Sequence, residues 1–123
     1  MTDKPGLRQA RVAERVREEV ASMLVTEVRD PRLTGVVVVR VQMTPDLREA
    51  VLYVRLLSDE AGRRGEAMKA LSHAARRFRR EVAERVGLRF SPTLEFRYDE
   101  GVDTSARVEE LLAEIRSERD EQG

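Results

Sequence analysis

The stretch GVVVVRVQMTPDLREAVLYVRLL, residues 35 to 57, leaves the chain little freedom in what it can fold into. Its density of β-branched residues favours a pleated, half-buried backbone. TPDLRE at 44 to 49 supplies the proline and aspartate of a turn between two such runs. The reading is a hairpin. Its first strand carries Val37, Val39, Val41 and Met43 on one face, and its second, over 50–57, carries Leu52, Val54 and Leu56 on one side.

On either side of the hairpin the apolar period changes from 2 to 3.6. Val12, Val16, Val20, Met23 or Leu24, and Val28 predict an amphipathic helix over 7–28, ended by Asp30-Pro31 because a residue before proline is pushed out of the helical region. Ala67, Leu71, Ala74 or Ala75, Phe78 and Val82 predict a second, long helix over 65–86, with Gly87 placed to end it. Pro92 restarts the chain in extended form, and Leu94, Phe96 and Tyr98 alternate with charged residues as a third strand. Asp103 or Thr104 can cap a last helix bearing Val108, Leu111, Leu112 and Ile115. This order predicts an α+β fold with a three-stranded sheet, helices on one face and a C-terminal helix or tail. All 123 residues are read as one domain, with its core at about 7–100 and an acidic end at 103–123.

Catalysis requires a nucleophile with a base, a carboxylate pair in a cleft, or metal ligands at workable spacing. The chain has no cysteine and one histidine, His73, which has no acid three or four positions away and is read as a surface residue. Asp99, Glu100 and Asp103 follow a strand without forming a calcium loop and are read as a solvated turn. Gly62-Arg63-Arg64-Gly65 fits a GxxG loop in four letters, but it lies between a strand and a helix and is read mainly as a connector. No enzymatic activity, cofactor, metal or small-molecule substrate is expected. No apolar run approaches the ~18 residues needed to span a bilayer, so no membrane role is expected, and a cytoplasmic monomer is the default.

Charge carries the remaining information. The net charge is zero, yet residues 62–97 hold ten basic and four acidic residues while 98–123 hold three and nine. A +6 segment followed by a −6 segment points to an acidic partner for the first of them. On the long helix Lys69, His73, Arg76 and Arg80 line up opposite the apolar stripe, flanked by Arg77 and Arg79. A merely solubilising face accounts for Arg77 with Glu81 and Arg80 with Glu84 as i,i+4 pairs. It does not account for Arg76 or Arg79, which have no acid at helical neighbour positions. Arg85 falls on the apolar side of a straight helix, which predicts either fraying or an earlier bend.

Arg8-Gln9-Ala10-Arg11-Val12, DPRL at 30–33, the valine-rich strand, TPDL at 44–47 with Ala50 following, GLR at 87–89, Pro92, LEFRYDE at 94–100 and EELL at 109–112 together resemble the ribosome-binding factor A family from about residue 7 to 115. The resemblance implies a KH-like domain of type II topology, helix-strand-strand-helix-helix-strand, with the long helix divided in two. The family's interhelical turn of alanine, any residue, glycine falls on Ala74-Ala75-Arg76, with arginine in place of the glycine. The family's basic positions fall on Arg79 and Arg89. Also implied are binding to the small (30S) ribosomal subunit and its 16S rRNA during late maturation, and a connection with growth in the cold. The expected RNA-binding set is Arg63, Arg64, Lys69, Arg76, Arg77, Arg79, Arg80, Arg85 and Arg89. The alternative is a basic-faced protein adaptor that does not touch RNA. A further expectation is that the acidic end folds over the basic segment and screens it.

Overall fold

The computed structural model describes residues 6–58, 62–100 and 112–117. Its elements are α1 (Leu7–Thr26), a 3-10 turn (Pro31–Leu33), β1 (Val36–Met43), β2 (Glu49–Leu56), α2 (Arg63–Val86) and β3 (Thr93–Tyr98), followed by a short helix, α3, over 112–117. The sheet order is β1-β2-β3, with β1 and β2 antiparallel and β2 and β3 parallel. Two parallel neighbours cannot be joined by a tight turn, so α2 is the crossover that carries the chain from β2 to β3.

The core forms where α1 and α2 meet one face of the sheet. Val16, Val20 and Met23 from α1, Leu71, Phe78 and Val82 from α2, and Met43, Leu52, Val54, Leu94 and Phe96 from the strands share one buried cluster. Each fully buried aliphatic side chain stabilises the fold by about 1.5–3 kcal/mol. The α2 stripe expected from the sequence is buried throughout, and the helix ends at Gly87 in the left-handed region (φ 81°), where the Gly87 and Leu88 N–H groups both donate to the Ala83 carbonyl.

Four expectations need correction. Val37 and Val39 are exposed at 41% and 39%, whereas Val38 is 5% exposed and Val36 packs on the core. The cause is a register shift between Val38 and Arg40. This bulge reverses which face the strand presents, so Val41 and Met43 point inward as Val38 does. α1 ends at Thr26 rather than residue 28. α2 is one continuous helix through Ala74-Ala75-Arg76 instead of two. Alanine and arginine are strong helix formers, Ala74 and Ala75 are buried on the core side, and no glycine interrupts the turn. Finally, Asp99 is not solvated: it is 6% exposed and pairs with Arg55 at 3.2 Å.

The helices do not all lie on one side. Leu112 and Ile115 of α3 pack on Val51 and Tyr53, which point away from the α1/α2 core, and the Arg40 guanidinium sits 4.5 Å from the Tyr53 ring. The described part of the acidic end therefore packs on the second sheet face. Asp103, Thr104, Val108 and Leu111 lie outside the described residues.

Candidate nucleic-acid interface

The nine basic side chains expected at the interface separate by what their guanidinium and ammonium groups touch. Arg63 opens α2 and donates to the Thr34 carbonyl at 2.8 Å and the Ser58 carbonyl at 3.4 Å. It ties the helix start to the ends of the hairpin. Arg64 lies 3.7 Å from the Tyr98 ring centroid and pairs with Glu100 at 3.2 Å. Arg79 donates to the carbonyls of Pro92 at 3.0 Å and Ser91 at 3.3 Å, clamping the segment that leads into β3.

Arg85 lies within α2, so the helix does not fray before it. Its guanidinium reaches across to α1, pairing with Glu19 at 3.3 Å, with Glu27, and with Glu81 of its own helix at 2.7 Å. The hydrogen bond between Glu27 and Glu81 is the largest influence on both, holding the Glu27 carboxyl above its ordinary value and the Glu81 carboxyl below it, the latter helped by Arg85. Glu81 is thus engaged by Arg85 and not by Arg77, contrary to the expected Arg77–Glu81 pair, because Arg85 can serve carboxylates of two helices at once. Arg80 does pair with Glu84, at 3.3 Å, but both side chains are highly exposed, and such pairs contribute little.

Lys69, Arg76 and Arg77 are exposed, and among the described residues no ion pair engages them. Arg76 also lines an open groove of about 450 Å³ between α2 and β3, walled by Ser72, His73, Ala75, Arg76 and Arg79 on the helix and by Thr93 through Arg97 on the strand. β3 is an edge strand. The groove is therefore bounded by a helix face carrying cations and by a sheet margin with no further strand beyond it among the described residues. Arg89 follows the end of α2 and approaches the ring of Phe90, 5.7 Å from its centroid. Phe90 itself escaped the sequence reading, since a lone aromatic outside any periodic pattern gives no signal.

Other chemistries find little here. No group of three or more His, Cys, Asp or Glu able to hold a metal occurs among the described residues. No helix among them is long and apolar enough to cross a membrane.

The family model for "Ribosome-binding factor A" matches residues 8–112. A ribosome-binding factor A of Sorangium cellulosum is 48% identical over 111 residues, covering 89% of each chain. The crystal structure of ribosome-binding factor A from Thermus thermophilus superposes with a TM-score of 0.56 at 30% identity, covering 78% of this chain and 97% of that one. A homology model of the Thermus thermophilus factor, fitted into a cryo-EM map of its 30S complex, gives a TM-score of 0.61 at 30% identity, covering 76% of this chain and 97% of that one. With the same mixed three-stranded sheet flanked by helices, the chain belongs to the ribosome-binding factor A family, non-catalytic factors of ribosome assembly.

Proposed function

We propose that the chain serves small-subunit assembly by binding 16S rRNA directly, through the exposed face of α2 formed by Lys69, Arg76, Arg77 and Arg80, with Arg89 at its end. One observation carries this reading: Arg76 stands in the open α2–β3 groove without an acidic partner among the described residues, and Arg80 follows one turn on. A helix kept only for solubility has no reason to stack like charges, which cost about 0.2–0.5 kcal/mol per i,i+4 pair. Guanidinium groups supply charge for phosphates and a plane for exposed bases. Arg63, Arg64, Arg79 and Arg85 support the interface by fixing its position, since their donors already serve carbonyls or carboxylates of the chain. The protein acts as a cytoplasmic monomer during late rRNA maturation, where cold makes misfolded rRNA slow to rearrange.

Four cations neutralising four phosphates give a slope of log affinity against log salt on the order of −3. Titration of a 16S rRNA fragment across a salt series measures it directly. Arg76→Glu combined with Arg80→Glu should lower affinity strongly and reduce the slope by about half. A slope near zero, or unaltered binding by the double variant, overturns the reading in favour of a protein adaptor, which would ignore naked RNA.

A further inference from the structure

Five aromatic residues occur in the chain. Tyr53, Phe78 and Phe96 are buried, and Tyr98 is partly covered by Arg64. Phe90 alone stands out in solvent, 47% exposed, and takes no part in either hydrophobic cluster. Its ring is flanked by two cations: the Arg48 guanidinium lies 4.1 Å from the centroid and that of Arg89 5.7 Å away.

The backbone on both sides of this ring is pinned by hydrogen bonds. Arg79 clamps the carbonyls of Ser91 and Pro92 immediately after it. On the other side, the Arg48 N–H donates to the Asp46 carboxylate at 3.1 Å, and the Arg48 carbonyl accepts from the Thr93 N–H at 2.8 Å. Two loops distant in sequence, the β1–β2 turn and the α2–β3 connection, are thus fastened together with an aromatic ring and two cations on their outer side. Arg79, which holds the segment just after Phe90, also walls the α2–β3 groove, so one side chain links the two.

We infer that Phe90, with Arg48 and Arg89, forms a stacking platform for an unpaired nucleotide of the bound RNA. The chemistry is specific to that partner: a flat π-system favours a base, and the adjacent guanidinium groups favour the phosphate attached to it. Bases inside a duplex are stacked on one another and cannot reach it. The inference rests on the proposed RNA-binding role and refines it, from a face that follows phosphates to one that prefers single-stranded segments.

The test compares an unpaired, single-stranded oligoadenylate with a perfect RNA duplex of equal phosphate number. Wild-type protein should favour the oligoadenylate. Phe90→Ala should weaken that binding roughly ten-fold while leaving duplex binding and the salt slope nearly unchanged. Phe90→Trp should retain the preference, and, as the chain has no other tryptophan, its emission should be quenched by oligoadenylate and not by duplex. Equal losses for both RNAs, or an unchanged ratio, overturn the platform while leaving the phosphate-binding face intact. Failure of wild-type protein to bind either RNA removes both proposals. An unchanged RNA ratio with lost co-sedimentation on 30S subunits assigns Phe90 to a protein contact instead.

Discussion

Replacing Arg76 by glutamate should stabilise the folded protein while weakening its hold on RNA. Arg76 has Ser72, His73, Arg79 and Arg80 as helical neighbours, and Arg79 is occupied by the Ser91 and Pro92 carbonyls. Glutamate at this position removes one like-charge i,i+4 pair with Arg80 and creates an opposite-charge pair in the favourable order, acid before base. At about 0.2–0.5 kcal/mol for each change, the gain is about 0.5–1 kcal/mol at low ionic strength. Glutamate and arginine differ little in helix propensity, so the backbone contributes almost nothing. For a domain of this size the melting temperature should rise by about 2–4 °C. Thermal unfolding followed by circular dichroism in dilute buffer measures the shift, and repeating it in about 1 M salt, where the screening length falls to about 3 Å, should erase it. A lower melting temperature in dilute buffer would show that Arg76 is supported by the fold, and a gain that survives in high salt would show that like-charge repulsion is not its cause; either result removes the case for a face held open for a polyanion.

The bulge in β1 makes a pairwise prediction: Val38→Thr buries a hydroxyl and should cost about 1–3 kcal/mol in urea unfolding, whereas Val39→Thr should stay within about 0.5 kcal/mol. The Asp30 carboxyl is held below its ordinary value of 3.8, first by the Arg32 side chain and then by the Arg32 N–H. The stability it lends is complete above that ordinary value and is lost as pH falls through the lowered one. Asp30→Asn should accordingly flatten the acid limb of stability against pH, read from urea midpoints between about pH 2 and pH 6.

The helices were legible because their cores obey a 3.6-residue period: Ala67, Leu71, Phe78 and Val82 cannot share a face in any other regular conformation. Four consecutive valines, by contrast, carry no phase. Nothing in Val36 to Val39 says which pair faces inward, and a single extra residue decides it. The exposed cation at Arg76 could be anticipated from the helical wheel, since what singles it out is the absence of local acids; Arg77 could not, because its local partner Glu81 is taken by Arg85. The anchored ones could not. Arg85 finds Glu19 on α1 and Glu27 just past its end, and Arg63 and Arg79 find backbone carbonyls, which carry no sequence signature. The seat of α3 on Val51 and Tyr53 was hidden for a related reason, because β2 is buried on both faces and its alternation is weak.

That α2 is the connection between two parallel strands has a consequence for how ligand binding reports itself. A peripheral arm can be seized and released without the rest of the molecule noticing. Here the element that would grip RNA is the same one that delivers β3 to its place beside β2, so stabilisation of the gripping element is shared with the sheet in every opening that involves both. Occupancy by RNA should slow amide exchange in the strands as well as in the helix, even though no nucleotide lies near most of them.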